Sequence, residues 1–424
     1  MNPDELDFFA SGKVLGDPYP FYDALRERCP VHTEPHHGVV MITGYDEALQ
    51  VFRDTETFSS ANSVTGPFPG FPVPLEGEDV AELIDEHRGE LPFHDQLPCL
   101  DPPEHTRSRG LMLRLLTPTR LKEHEPSIWS LADQQIDELI RHEACEYIAD
   151  FASPYAMLVI AGLLGVPEED HPDFRDQLAR STGLGGGATN TMPHAPLEFL
   201  YDRFSAYVTN RRSEPRDDVL TRLAHATYPD GSTPDVIDVV RVATNLFAAG
   251  QETTVRLLGA ALQILAERQD LQDLLRSDLG LIPNFVEEVL RFEGPIKGDF
   301  RLSRTPTSVG GVSIPAGTTV MVLNGAANRD PRKFERPDEF LPERTNAREH
   351  LAFGHGIHYC GGAALARVEA NIALERILVR TSSIRIAEAD HGPPTARRYR
   401  YLPTYMLRGL QQLHLELAAT HPDE

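Results

Sequence analysis

One long apolar segment without an internal proline constrains this chain more than any other feature of its sequence. It reads TPDVIDVVRVATNLFAAGQETTVRLLGAALQILAE, and the next proline after Pro234 is Pro283. Thr233 as N-cap, Pro234 at the first helical position and Asp235 in the first turn predict where a helix begins. Such a helix would run about 35 residues, or roughly 50 Å at 1.5 Å per residue. A helix this apolar must pass through a core.

Composition and charge narrow the class of protein. The 424 residues carry a formal net charge of −24, which argues against nucleic-acid binding, since that function uses basic surfaces. Four cysteines without paired spacing predict reduced thiols. The acidic N-terminus lacks an export signal, and the longest apolar run, Ala156–Val166, is too short to span a bilayer. We therefore expect a cytoplasmic protein without a membrane anchor, and a buried helix at Ala156–Val166.

The order of the local signals predicts a mainly α fold with small β-sheets. Helical patterns dominate between Leu111 and Phe300, whereas strand-like segments flank Gly310–Gly311 in TSVGGVSIPAGTTVMV. Two segments, Ser63–Val80 and Ser181–Pro196, are rich in glycine and proline. We expect these two segments to be mobile covers over a site rather than linkers between domains.

The centre of the long helix, AAGQETT, has two readings. Ala249 and Gly250 remove bulk at one level, while Glu252 and Thr253 add an acid and an alcohol just beyond. A glycine in a helix interior costs roughly 1 kcal/mol relative to alanine. One reading is a crossing point between helices with a solvated glutamate, and the other is a notch beside a proton-relay pair.

A second pattern, FVEEVLRFEGP, places Glu288 and Arg291 three residues apart on a short helix. Alone, this spacing favours a surface ion pair worth roughly 0–1 kcal/mol. If the pair is buried and joined by Arg344, breaking it would cost about 3–5 kcal/mol.

The stretch AFGHGIHYCGG encloses one cysteine with four glycines, and three chemistries compete for it. A nucleotide loop would need a strand, a glycine turn and a helix, but the third glycine is missing. A zinc site could use His355, His358 and Cys360, although a closed zinc site needs four ligands. Iron held by the Cys360 thiolate explains the glycines best, because the following helix would point its positive end at the sulfur.

With these motifs the chain resembles the cytochrome P450 superfamily, specifically the soluble bacterial haem-thiolate monooxygenases. The family's pattern Phe-Gly-x-Gly-x-His-x-Cys-x-Gly is matched by Phe353, Gly354, Gly356, His358, Cys360 and Gly362. Further matches, in chain order, are DPPEHTRSR (Asp101–Arg109), AGQETT (249–254), the Glu288–Arg291 pair, FRLSRTPTSVGGVSIPAG (Phe300–Gly317) and NRDPRKFERPDEFLPER (Asn328–Arg344). The resemblance covers nearly the whole chain, and the departure from it is a long, acidic region between Ser59 and Leu100.

The resemblance implies a P450 fold, with residues 1–424 forming one haem domain without a fused reductase and the long helix crossing the haem. Cys360 would be the axial ligand of the iron of haem b (iron protoporphyrin IX), enclosed by Phe353, Gly354 and Gly362. His105, Arg109, Arg301 and His358 would bind the two haem carboxylates. Ala249 and Gly250 would leave room for dioxygen, Thr253 would donate a hydrogen bond there, and Glu252 would help to deliver protons.

The implied reaction is insertion of one oxygen atom of O2 into a small hydrophobic substrate, driven by NAD(P)H through a ferredoxin and a ferredoxin reductase. The acidic ferredoxin would need a locally basic face, for which Arg332, Lys333, Arg367 and Arg376 are candidates. The residues that could line the substrate pocket are Phe68, Phe71, Leu246, Ile296 and Phe300, with Lys297 and Asp299 as a polar handle. Rival functions are a peroxide-driven peroxygenase, a haem-thiolate isomerase and a non-enzymatic haem or zinc protein.

Overall fold

The computed structural model describes residues 2–142, 144–180, 197–228 and 230–420. The predicted cover Ser181–Pro196 therefore lies outside the described residues. The α-helices of the described residues are α1 (Gly12–Gly16), α2 (Tyr19–Arg28), α3 (Tyr45–Arg53), α4 (Ala81–His87), α5 (Glu104–Leu113), α6 (Pro118–Leu139), α7 (Ser153–Leu164), α8 (His171–Arg180), α9 (Glu198–Ser213), α10 (Val219–Ala224), α11 (Val236–Glu267), α12 (Gln269–Ser277), α13 (Ile282–Glu293), α14 (Asn324–Ala327), α15 (Ala363–Arg380) and α16 (Glu388–His391).

The strands are short and form three small sheets. They are β1 (Val31–Thr33), β2 (Val40–Ile42), β3 (Phe58–Ser59), β4 (Ala144–Glu146), β5 (Asp299–Ser303), β6 (Thr307–Val309), β7 (Val312–Ile314), β8 (Thr319–Val322), β9 (Thr381–Ile386) and β10 (His414–Ala419). One sheet has the order β1-β2-β8-β5-β3, one the order β4-β10-β9, and β6 pairs with β7. A mainly α fold with small sheets is thus confirmed.

The hairpin between β6 and β7 turns on the glycine pair that the sequence singled out. Gly310 and Gly311 have φ angles of 55° and 81°. Positive φ at both central residues is what a two-residue hairpin turn needs, and glycine adopts it without strain. Val309 pairs with Val312 across the turn.

Helix α11 confirms the long core helix but begins slightly later than predicted. Its N-cap is Asp235 and its first residue is Val236, so Thr233 as N-cap and Pro234 as first helical residue were wrong. The Pro234 carbonyl accepts a hydrogen bond of 2.6 Å from Arg212 instead of starting the helix. The 32-residue helix packs against α7, α9, α13 and α15, and most of one side of it is buried.

The run Ala156–Val166 lies almost entirely in the buried helix α7, as expected. The helix ends at Leu164, and Gly165 caps it in the left-handed conformation with φ of 79°. Among the described residues, no helix combines the length and hydrophobicity needed to cross a membrane. The four cysteines are free thiols, in agreement with the sequence prediction.

Glu288 and Arg291 of α13 form a buried cluster, so the surface reading of this pair was wrong. Both side chains are 0% exposed, and Arg344 is the third member, with Nε 3.1 Å from Glu288 Oε1. Arg291 also donates to the carbonyls of Asn328 and Pro337. The cluster ties α13 to the chain segment that leads into the cysteine loop.

Candidate active site

A cavity of about 1350 Å³, counted with its open mouth, lies between α11 and the cysteine loop. Its walls come from α5, α7, α11, α13, β5, the cysteine loop and α15. The predicted site residues that line it are Arg109, Ala249, Gly250, Thr253, Arg301, Phe353, Gly354, His358, Cys360 and Gly362. Residues separated by up to 253 positions in the sequence therefore meet in one chamber, as the resemblance implies.

Cys360 opens into this cavity at the point where α15 begins. Its backbone N–H donates to the Phe353 carbonyl at 2.9 Å, and Gly362 is the N-cap of α15. Burial raises the pKa of the Cys360 thiol, whereas the Gly362 backbone N–H and the charges of Arg109 and Arg367 act in the opposite direction. The helix end and two guanidinium groups thus favour the thiolate that a metal ligand requires.

The glycines of the loop serve close packing more than access to the sulfur. Gly356 has φ of 71°, and a Cβ there would lie 2.5 Å from the Phe52 carbonyl oxygen of α3. A Cβ on Gly361 would lie 2.2 Å from Met112 Cε of α5, whereas one on Gly362 would reach only 4.0 Å from the sulfur. The expectation that the glycines bring the backbone to the thiol was therefore incomplete, since two of them let α3 and α5 approach the loop.

Four basic side chains converge on one side of the cavity. Arg301 is buried and donates to Ser63 Oγ at 3.2 Å and to the Phe300 carbonyl, while Arg109 donates to the Tyr359 carbonyl. Within the described parts of the chain, neither guanidinium has a carboxylate at ion-pairing distance. Burial lowers the pKa of both arginines, because each guanidinium is partly or fully removed from water without a carboxylate in contact with it.

Two histidines complete this cluster, which we call the cationic cluster after its two arginines. The rings of His105 and His358 lie 4.2 Å apart between centroids, and His358 Nε2 lies 3.0 Å from Ser60 Oγ. Burial and then Arg109 lower the pKa of His105 to about 4, and burial and then Arg301 lower that of His358 to about 2. Neither ring nitrogen of His105 has hydrogen-bond geometry to a described residue, although the Ile357 backbone slightly favours its protonated form.

The cluster, His105, Arg109, Arg301 and His358, therefore fits a bound group that carries two carboxylates. Such a group would supply the missing counter-charges and hydrogen-bond acceptors, because buried charges are stable only when paired. A porphyrin with two carboxylate arms and an iron above the Cys360 sulfur has this chemistry. The residues present fit a haem.

The rival chemistries of the loop find less support. No group of three or more His, Cys, Asp or Glu side chains in the described residues could hold a metal ion, so a zinc site at His355, His358 and Cys360 is not formed. The segment before the loop is a single 3-10 turn and coil rather than a strand, which removes the order that a nucleotide loop needs.

Of the four residues predicted to act at the centre of α11, three line the cavity and one does not. Ala249, Gly250 and Thr253 line the cavity, and Thr253 Oγ1 donates to the Ala249 carbonyl at 2.9 Å. Glu252 is not part of the lining. Its Oε1 lies 3.4 Å from Arg256 Nη2 in a salt bridge between partly buried side chains.

The missing side chain of Gly250 faces Ile160 of α7, which also lines the cavity. A Cβ at this position would lie 3.6 Å from Ile160 Cδ1, an ordinary van der Waals contact. An alanine at position 250 would therefore fit.

The pocket residues proposed from the sequence are only partly confirmed. Leu246, Ile296 and Asp299 line the cavity, but Phe68, Phe71 and Phe300 do not. Phe300 points to the opposite face of β5, where its ring lies 5.8 Å from that of Tyr405. Lys297 is no polar handle, because its ammonium group is buried between the carbonyls of Leu15 and Thr404 at 2.7 and 2.6 Å.

The predicted cover Ser63–Val80 packs beside the cavity instead of over it. Only Ser63 of this segment lines the cavity, and Phe68 packs edge-on against Phe9 and His37.

The four basic side chains proposed for a partner surface each form an ion pair within the chain. The pairs are Arg332 with Glu47 and Asp330, Lys333 with Glu349, Arg367 with Glu287, and Arg376 with Asp133.

Sequence reasoning missed Glu369, an acid inside the cavity wall. Glu369 lies on α15 and is 2% exposed, and its Oε2 has no partner among the described residues. Burial raises the pKa of Glu369 to about 8, against a small lowering by a hydrogen bond with Thr254. The sequence carried a signal, since Glu369 follows Leu365 by four residues and precedes Ile372 by three, which places it on the apolar face of the helix.

Comparison with known proteins gives one consistent answer. The family model described as Cytochrome P450 matches residues 195–383. The protein called Cytochrome P450 144 of Mycobacterium tuberculosis is 33% identical over 415 residues, which cover 97% of this chain and 91% of that protein. Substrate-free CYP150A6 of Mycobacterium marinum is 52% identical with a TM-score of 0.93, covering 99% of this chain and all of that one. A mutant of P450 EryK in complex with erythromycin B is 30% identical with a TM-score of 0.78, covering 97% and 99%.

Proposed function

This chain belongs to the cytochrome P450 family and is a P450 monooxygenase, and on that premise we propose that it oxidises a small hydrophobic substrate with electrons from NAD(P)H. The electrons would arrive through a ferredoxin and a flavin-containing ferredoxin reductase. One oxygen atom of O2 enters the substrate and the other leaves as water. The observation that carries this proposal is Cys360 facing a cavity beside two arginines that have no carboxylate in contact and two buried histidines.

Haem, the cofactor that the family implies, supplies the oxygen and electron chemistry when it is bound. The chain holds it from two sides. Cys360 would provide the thiolate ligand, and the cationic cluster would bind the two carboxylates, with charge-assisted hydrogen bonds from Arg109 and Arg301. The mostly apolar walls exclude water and favour a hydrophobic substrate.

Proton delivery falls to α11 in this proposal. Thr253 Oγ1, which now donates to the Ala249 carbonyl, faces the cavity and can turn its hydroxyl toward a bound water or substrate. Glu252 must first leave Arg256, since its carboxylate does not line the cavity. A partly buried acid that exchanges between Arg256 and the hydroxyl would carry protons to Thr253 Oγ1.

The position of Glu252 also supports a second candidate, peroxide-driven oxygenation. Peroxide brings its own protons and needs no relay, so a chain whose acid turns away from the cavity could use it. Turnover with hydrogen peroxide alone that is unaffected by Thr253→Ala would favour this candidate. Turnover that requires a ferredoxin and reductase and falls in Thr253→Ala would favour the monooxygenase.

The surface beside the cysteine loop suits an electron-transfer partner by its apolar groups as well as its charge. Leu113 of α5, Ile357 and Tyr359 are large hydrophobic side chains that are 51%, 38% and 39% exposed. Arg114, which follows Leu113, is exposed too. The partner surface is therefore proposed here rather than at the four cations already engaged in ion pairs, and reduction by a ferredoxin should slow as ionic strength rises.

The decisive experiment is spectroscopic. Protein expressed with a haem precursor, then reduced and exposed to carbon monoxide, should show the strongly red-shifted Soret band of a thiolate-ligated haem. Cys360→Ser should abolish this band, whereas the control Cys29→Ser should keep it. Protein that takes up no haem under these conditions would overturn the proposal.

The substrate can then be found with the same sample. A library of hydrophobic compounds is screened for the low-spin to high-spin shift of the ferric haem. P450 EryK has been seen with erythromycin B, so the library should include macrolides beside smaller apolar molecules. A compound that shifts the spectrum and yields an oxygenated product with the ferredoxin system would define the reaction.

A further inference from the structure

Asp101, at the entry to α5, is the centre of a buried network that reaches the region where the sequence departs from its family. Its carboxylate is 4% exposed. It accepts hydrogen bonds from Ser59 Oγ at 2.6 Å, from the Ser60 N–H at 2.8 Å and from Arg88 Nη1 at 2.9 Å. Arg304 Nη2 lies 2.8 Å from the same oxygen as Arg88. This carboxylate is fully satisfied, and two positive charges compensate it.

The network holds two members of the cationic cluster. The Asp101 carbonyl accepts the His105 N–H at 2.9 Å, which starts the helix that carries His105. Ser60, whose N–H is held by Asp101, presents its hydroxyl to His358 Nε2 at 3.0 Å. Asp101 is therefore linked to both histidines, to His105 through its backbone carbonyl and to His358 through its side chain and Ser60.

Arg88 comes from the acidic region between Ser59 and Leu100 and is anchored there. Val80, the N-cap of α4, donates to the Arg304 carbonyl at 2.9 Å. Val80, Ile84 and Leu91 share a small apolar cluster with residues of the neighbouring segments, Ala61 and Leu302. Arg88 also donates to the Cys99 carbonyl. Residues 64–96 do not line the cavity, whereas Ser63, Leu97 and Pro98 near the two ends of the region do, so the middle of this region packs behind the cavity wall.

The charge balance gives the network a function beyond packing. The negative charge of Asp101 acts on His105 and on Arg301, where it offsets part of the lowering of the pKa that burial causes. It would also repel the two carboxylates that the cationic cluster binds. Arg88 and Arg304 both contact Oδ2 of Asp101 and so offset this negative charge. Loss of Arg88 would leave the site more negative and free Ser60 to move.

We propose that Arg88 is a positioning residue for the haem, acting through Asp101 on Ser60, His105 and His358. The inference rests on the proposed haem site and gives the long region after Ser59 a role in cofactor retention. Arg88 need not contact the haem in this proposal, because it acts through Asp101, which is linked to the two histidines.

The test compares Arg88→Gln with wild type as purified haem-loaded proteins. Haem transfer to excess apomyoglobin should be roughly threefold to tenfold faster in the variant, the change expected when one ordinary hydrogen bond is lost at the haem site. The ferric–ferrous midpoint potential should fall, because removing a positive charge disfavours the added electron. Asp85→Asn is the matched control, since it removes only the exposed partner of Arg88 at 3.4 Å and should match wild type in both measurements.

Arg88→Lys separates charge from geometry. It keeps the charge and lacks the forked donors, so the midpoint potential should return toward the wild-type value while haem transfer stays faster. A lowered melting temperature with unchanged transfer rate and potential in Arg88→Gln or Arg88→Lys would overturn the inference, because that result describes a purely structural residue. Wild-type protein without a haem spectrum would instead overturn the proposed function.

Discussion

Arg291 lies against Glu288 with both side chains fully buried, its Nε 2.7 Å from Oε2 and its Nη2 2.8 Å from Oε1. This parallel, two-bond geometry is the strongest arrangement that an arginine and a carboxylate can form. Its value depends on both partners, because Arg291 without Glu288 would be an unpaired buried charge, and Glu288 without Arg291 would keep only Arg344.

Arg291→Met should therefore lower the free energy of unfolding by about 3–5 kcal/mol, since the Glu288 carboxylate would lose its bidentate partner. Urea unfolding followed by circular dichroism measures this change. Arg141→Gln, which breaks an exposed pair with Glu138, is the control and should have little effect. Equal effects of the two substitutions would show that burial does not set the strength of the pair.

Gly356→Ala should destabilise the cysteine loop, because a Cβ would meet the Phe52 carbonyl at 2.5 Å and φ is 71°. Gly311→Ala isolates the backbone effect, since Gly311 has φ of 81° with no atom near its would-be Cβ. We expect Gly311→Ala to cost about 1 kcal/mol in the free energy of unfolding, and Gly356→Ala clearly more. The difference measures the contact with α3, and equal costs would contradict it.

Glu369→Gln should change the pH dependence of stability. The folded-state pKa of Glu369 is raised to about 8, so the folded protein retains a proton that the unfolded chain releases near 4.5. The stability this proton contributes is complete below pH 4.5 and is lost as the pH rises through 8. The melting temperature of wild type should fall between about pH 5 and 8, and the variant should fall less. The substitution Glu375→Gln on the same helix is the control, and an identical slope in Glu369→Gln would contradict the assignment.

Thr253→Ala and Glu252→Gln test the proton path on α11. Each should reduce the product formed per NAD(P)H consumed, by about tenfold or more for Thr253→Ala, while the carbon monoxide spectrum stays that of wild type. The comparison is Asp238→Asn, an acid in the first turn of the same helix that pairs with Arg241. Unchanged coupling in Glu252→Gln would show that its contact with Arg256 is structural.

Patterns that are local in the sequence predicted the fold well. Helix α11, the hairpin at Gly310–Gly311 and the cysteine loop before α15 follow from apolar periodicity, paired glycines and a motif, each contained within a few turns of chain. The predicted start of α11 was wrong because Arg212, which lies outside that stretch of sequence, donates a hydrogen bond to the Pro234 carbonyl. A helix end is decided by whichever group satisfies the last free backbone atoms.

The site was predicted less completely because its chemistry depends on partners far apart in sequence. Arg332 could be identified as basic, but not as bound to Glu47, 285 residues away. Phe300 could have been excluded, since Arg301 faces the cavity and neighbouring residues of a strand point to opposite faces. The link from Arg88 to Asp101 had no sequence signal, because no motif spans the two residues.

The packing of Gly250 against Ile160 has a consequence for how α11 behaves. Since an alanine would fit there, the glycine is not required by its neighbours, and the helix carries its least favoured residue in the very turn that borders the chamber. Unwinding that turn costs about 1 kcal/mol less than it would with alanine. Helix α11 is therefore easiest to unwind near its midpoint, where a molecule that enters the cavity would contact it.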